Sequence, residues 1–128
     1  MTYYHARTIE ASFDEAVSRI VASLAKQGFG ILTDIDVAAT MKKKLGKDMP
    51  PYRILGACNP RMAAHALDLE DKIGTMLPCN VILRQAEAGK VEIAAINPVS
   101  SMSAVGNPGL SEVAGKVAAL LAAAVDDA

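Results

Sequence analysis

Two cysteine–asparagine pairs, Cys58-Asn59 and Cys79-Asn80, are the side chains of this 128-residue chain best suited to chemistry. Cys58 closes the β-rich run Tyr52–Cys58 and stands immediately before Asn59-Pro60, an N-cap residue followed by proline at the first helical position. The free amides and positive dipole end of a helix starting there would favour negative charge on the sulfur. A thiolate so placed can act as a nucleophile, a metal ligand or a persulfide carrier. The opposing reading is a small buried hydrophobe, since free cysteine is among the most buried residue types. Cys79 follows Pro78 and leads into a further strand, so the two pairs end and begin neighbouring elements. They are expected to meet at one edge of the sheet, where α carbons within about 7 Å would permit a reversible disulfide.

The remaining candidates are weaker. His65 flanks the apolar stripe Met62, Ala66 and Leu69, which fits a half-exposed helix position as well as a site. Paired with Cys58, either His65 or Asp34 would make a thiol or acid–base enzyme. Asp34 and Asp36 are two apart, but Asp36 has a sufficient task as a helix N-cap. Glu92 falls on the fifth strand, and His5, on the first, carries no assignment. Lys42, Lys43 and Lys44 sit in the last turn of a short helix, where its dipole favours cations, and need not form a phosphate patch. Gly28-Phe29-Gly30 lacks the third glycine and the following helix of a phosphate cradle, and the chain has no G-x-S-x-G elbow and no C-x-x-C. Two thiols are too few for a closed zinc site, unless a dimer supplies four or His65 a third. No metal and no cofactor are assigned.

The elements that must hold these groups follow from periodicity and caps. Tyr3 to Ile9 reads as a strand. Ser12 and Glu15 form a capping box for a helix carrying Phe13, Val17, Ile20, Val21 and Leu24 on one face, closed by Gly28. A strand over Phe29 to Ile35 follows, then a short helix capped by Asp36 with Val37, Met41 and Leu45 before Gly46. After the strand Tyr52–Cys58 comes the Asn59-Pro60 helix. Strands Cys79 to Gln85 and Val91 to Ile96 flank Ala86-Glu87-Ala88-Gly89 as an antiparallel hairpin. Asn97 to Gly106 reads as a polar, Ser-rich loop, and Asn107-Pro108 opens a last helix with Leu110, Val113, Val117, Leu120 and Leu121 on one stripe. The order β-α-β-(α)-β-(α)-β-β-α predicts an α+β sandwich of two layers.

Ile31-Leu32, Ile54-Leu55 and Val81-Ile82-Leu83 place bulky apolar groups on both faces of their strands. Helices on one side cover only one face. The other is expected to be buried in a sheet-mediated homodimer, with a ligand cleft as the second option.

Composition sets the outer limits. Thirteen Lys and Arg against fourteen Asp and Glu leave a net charge of −1, which argues against nucleic acid and against a polybasic membrane surface. With 52% apolar and 21% charged residues the chain is long enough for one domain with a core, spanning 1–128. The start MTYYHARTIEASFDE lacks a secretory pattern, and the longest apolar run, Val117–Val125, is nine residues where a membrane span needs about twenty. A cytoplasmic location with reduced cysteines is expected.

Four blocks taken together add a family. GFGILTDIDV from Gly28, PYRILGACNP from Pro51, LPCNVILR from Leu77 and AINP from Ala95 resemble the prokaryotic family called "domain of unknown function 302" over nearly the whole chain. The resemblance implies a TATA-box-binding-protein-like fold, a curved antiparallel sheet backed by helices in β-α-β(4)-α order, here with short inserted helices. It also implies homodimers. It brings no agreed activity, and likeness of fold does not imply DNA binding in a net acidic chain. Some members place a histidine at the position of Ala64, whereas here it is His65, about 100° further round the helix. The expectation is a small cytoplasmic homodimer that binds a small ligand or carries thiol-linked chemistry, such as sulfur carriage or oxidant sensing. Its site would be lined by Cys58, Asn59, Cys79, Asn80 and His65. The alternatives are an enzyme using Cys58 with His65 or Asp34, and an interaction module with inert, buried cysteines.

Overall fold

Every α-helix in the computed structural model, which describes residues 2–128, starts at a side-chain oxygen able to accept one of its first free amides. Ser12 accepts from the Glu15 amide at the head of α1 (Phe13–Lys26), and Asp36 from Ala39 at the head of α2 (Val37–Leu45). The three Asn-Pro steps repeat one device: Asn59 caps α3 (Pro60–Leu69), Asn97 caps α4 (Pro98–Met102) and Asn107 caps α5 (Pro108–Asp127). Glycine ends the first two helices. At α1 the Gly28 amide donates to Ala25 and the Phe29 amide to Leu24, a Schellman closure that needs the left-handed φ of +86° at Gly28.

Five strands accompany these helices: β1 (Tyr4–Glu10), β2 (Gly30–Asp36), β3 (Tyr52–Cys58), and the consecutive β4 (Cys79–Glu87) and β5 (Lys90–Ile96). They form one antiparallel sheet in the order β1-β5-β4-β3-β2, so β3 and β4 are interior strands. Because side chains alternate, Ile9, Leu55, Ala57, Cys79, Val81, Leu83, Val91, Ile93 and Ala95 all face the helices and are buried there. Ala16, Ile20 and Leu24 of α1, spaced by four, and Leu110, Val117 and Leu121 of α5 close over them. The chain is therefore α+β, a five-stranded antiparallel sheet backed by helices. By length and composition α5 could cross a bilayer, but the residues that make it apolar, among them Leu110, Val113, Val117 and Leu121, are buried in this core.

The carbonyls at the far end of α5 are met by side chains from other elements. The Ser23 hydroxyl donates to Ala124 at 2.6 Å, and Arg7 donates to Asp126 at 2.6 Å and to Ala128 at 3.0 Å. Arg19 adds a second donor to Ala128 at 2.9 Å.

Two expectations need correction, and one element is added to them. The Ser-rich segment after Asn97 is not a loop: Pro98–Met102 is helical and Ser103–Val105 forms a 3-10 turn. Two of its serine hydroxyls satisfy local carbonyls (Ser101 to Pro98, Ser103 to Ser100), Ser100 donates to the Thr2 carbonyl beside β1, and Pro98 and Met102 are buried. The hairpin strands run longer than the sequence suggested, leaving Ala88 and Gly89 as the turn, with Gly89 at φ +74°. A 3-10 turn at Ile73–Met76, with Ile73 buried, had no signal in the sequence pattern.

The opposite face of the sheet carries no helix. Its register sets Ala6, Ala94, Ile82, Ile54 and Ile35 side by side in one apolar row across all five strands. Beside that row Glu92, Arg84 and Tyr52 form a polar one, in which Arg84 and Glu92 pair at 2.7 Å.

Candidate functional site

The β3–β4 register places Ala57 opposite Cys79, so Cys58, one residue further on, lies at the same end of the sheet as Cys79. The two cysteines meet at the end of two interior strands, not at a sheet edge, because β2 and β5 flank them. Chain direction explains the meeting. β3 leaves the sheet through the Asn59 cap into α3, and the chain returns through the 3-10 turn and Pro78 to begin β4.

Between this end of the sheet, α3 and the first half of α5 is a cavity of about 360 Å³. Cys58, Asn59 and Cys79 form its strand-end wall, Met62 and Ala63 its α3 wall, and Val113 and Val117 its α5 wall. No charged side chain lines it; its polar side chains are the Asn59 carboxamide and the two thiols. Asn59 is held in place twice. Its Oδ1 accepts from the Met62 amide at 3.4 Å, and its amide nitrogen packs over Gly28, where a β carbon would lie 3.1 Å away.

Both cysteines are free. Cys79 is 7% exposed, and its pKa is pushed up to about 11, first by burial and then by the neighbouring Cys58. Its sulfur is therefore a thiol at neutral pH, a poor nucleophile. Cys58 is half-buried and is the one of the pair nearer to solvent.

The other sequence candidates lie elsewhere. Asn80 points away from Cys79, as alternation on a strand requires, and is exposed on the open face near Tyr52, Ile82 and Arg84. His65 is exposed on α3, one residue before the buried Ala66, and does not line the cavity. Asp34 is gripped by Arg53 (Nε to Oδ1 at 2.7 Å, with Nη2 on Oδ2), and that hydrogen bonding holds its pKa below the usual carboxylate range. Cys58, Asn59 and Cys79 thus share one wall, while Asn80, His65 and Asp34 stand outside it. Asp36 caps α2, as its position suggested. Among the described residues no group of three or more His, Cys, Asp or Glu is placed to hold a metal ion.

The sequence reading missed Met102 and the α5 side of the cavity. Met102 lies in the segment that reads as a loop, and Val113 and Val117 look like ordinary core positions until α5 folds against α3.

The match of a family model decides the relationship: the model described as "Domain of unknown function DUF302" matches residues 5–128. The chain belongs to this family. A crystal structure of the uncharacterized conserved protein DUF302 from Bacillus stearothermophilus is similar to it at 30% identity. The alignment covers 99% of this chain and 98% of that one, with a TM-score of 0.92. No curated protein matches the chain. In this DUF302 chain the family match takes in both Cys-Asn pairs and every helix that borders the cavity.

Proposed function

We propose that this DUF302 protein binds a small apolar molecule in the cavity between the β3–β4 strand ends, α3 and α5. The observation that carries the reading is a space of about 360 Å³ whose lining has no charged side chain. Small-molecule sites are concave and mostly apolar, with a few polar groups that fix orientation, and this lining has that character. The cavity's volume falls within the range of such sites, roughly 300–1,000 Å³. Asn59 and the two thiols supply the few polar atoms that would orient a ligand. The thiol-linked form of the reading, sulfur carriage or response to oxidant, rests on Cys58, the more accessible sulfur. Free thiols on adjacent strands fit a cytoplasmic protein. The enzyme alternative has less support, because His65 and Asp34 lie outside the cavity lining.

The test is a fluorescence titration with N-phenyl-1-naphthylamine, an apolar probe that brightens out of water. Saturable binding of one probe per chain is expected. Ala63→Leu, which fills the α3 wall, should weaken it about tenfold while leaving the melting temperature unchanged or raised. Absence of saturable binding, or equal binding by the filled variant, overturns the reading.

We also propose that two copies pair through the open sheet face. The row Ala6, Ala94, Ile82, Ile54 and Ile35 is apolar and has no helix over it, Ala94 buried and Ile35 exposed within it, and a two-fold axis would set the same row against itself. Sedimentation equilibrium should give twice the chain mass, and Ile82→Lys should return the monomer. A monomeric wild type, or a dimer indifferent to Ile82→Lys, counts against this face.

A further inference from the structure

We propose that the sulfur atoms of the cavity bind a soft monovalent metal ion of the Cu(I) class. The chain has two cysteines and six methionines. Both cysteines and two of the methionines, Met62 and Met102, line this one cavity. The four come from separate elements, β3, β4, α3 and α4, so the tertiary fold assembles what no stretch of sequence displays. Cys79 and Met102 are only 7% and 8% exposed, which places these donors away from competing water.

The chemistry of the donors selects the ion. Thiolate and thioether sulfur favour Cu(I) over harder divalent ions, whose sites draw on imidazole and carboxylate. Neither imidazole nor carboxylate lines this wall, and a closed zinc site would want four strong ligands. Charge points the same way, since an apolar wall favours a neutral complex. As the first Cu–S bond forms, one thiol releases its proton to solvent and the resulting thiolate offsets the ion's single positive charge. The second thiol and the thioethers then bind as neutral donors. The ion stays in the +1 state, and no electron is transferred.

The inference rests on the same cavity as the proposed function but names a different occupant. Its test is an anaerobic titration of the reduced full chain with Cu(I) buffered by the chromogenic chelator bicinchoninate. The protein should withdraw one Cu(I) per chain, show sulfur-to-copper charge-transfer absorption in the near ultraviolet, and release one proton per ion. Met62→Leu and Met102→Leu conserve side-chain volume and should each weaken binding severalfold, whereas Cys79→Ala should weaken it by about tenfold or more. If Cys79→Ala does not fold, the two methionine variants decide. Chelator that keeps all the copper, or variants that bind as wild type does, overturns the site. Binding of the naphthylamine probe without copper uptake overturns the metal site alone. Copper uptake without probe binding supports the metal site and overturns the apolar ligand, and failure of both removes both readings.

Discussion

Asn59 stands over Gly28, close enough that a β carbon on that glycine would lie 3.1 Å from the asparagine amide nitrogen. The contact joins the end of α1 to the start of α3 at the cavity wall. Gly28 has no side chain for two reasons at once: its φ of +86° completes the closure of α1, and Asn59 occupies the space a side chain would enter.

Gly28→Ala should therefore cost more than a left-handed alanine elsewhere. Gly46, at the end of α2, shares the positive φ at +66° but has nothing within 4 Å. Urea unfolding should show a loss of about 1 kcal/mol for Gly46→Ala and about 2 kcal/mol for Gly28→Ala, and only the latter should weaken probe binding in the cavity. Equal losses would mean that Asn59 yields without cost.

Burial of Cys79 predicts an alkaline limit. Its native pKa of about 11 lies above the value of about 8.5 expected in the unfolded chain. Above pH 8.5 the unfolded state ionises this thiol while the native state keeps it protonated, so stability is full below that pH and falls as pH rises towards 11. The slope approaches about 1.4 kcal/mol per pH unit. Urea midpoints of the metal-free protein from pH 7.5 to 10 should show it, and Cys79→Ala should flatten the curve. In the folded protein at pH 7.5, iodoacetamide should leave Cys79 unmodified. Parallel curves, or ready alkylation of Cys79, would show that its sulfur reaches solvent.

Asp34 gives the opposite dependence. The hydrogen bond from Arg53 lowers its native pKa below the unfolded value of about 3.9. Its contribution is present above that unfolded value and is lost as pH falls through the lowered native one. The pair is partly exposed, so the effect is small. Comparing urea midpoints at pH 6 and pH 3, Asp34→Asn should lose less than wild type does. An identical loss would mean that Arg53 does not discriminate between the charge states.

Local signals carried much of the fold. Asp36 with Gly46 bounds α2, Asn59-Pro60 opens α3, and Tyr52–Cys58 is a strand, because each depends on neighbouring residues alone. Asn97-Pro98 carried the same helix-start signal but was masked by the polar serines after it, whose hydroxyls find backbone carbonyls in the segment itself and at Thr2. The site was legible only where it is local. Cys58 and Asn59 are consecutive, and Cys79 joins them through strand pairing, whereas Met102 and Val113 reach the cavity only through the packing of α4 and α5. Asn80 was grouped with Cys79 by adjacency in sequence, yet adjacent residues on a strand point to opposite faces.

The end of α5 supplies the last prediction. The last four carbonyls of a helix lack partners within it, and here Ala124, Val125 and Asp126 of α5, with Ala128 just beyond it, accept from side chains of α1 and β1. Ser23 is the only buried polar residue among those described, and its bond to Ala124 is the neutral member of the set. Arg7 is the charged member and sits where the helix dipole favours a cation. Ser23→Ala should destabilise by about 1 kcal/mol, and Arg7→Leu by about 2 kcal/mol because several carbonyls lose a charged donor together. Hydrogen exchange should localise the Arg7→Leu effect to the last turns of α5. Protection lost evenly along the helix would instead assign Arg7 to packing against the sheet.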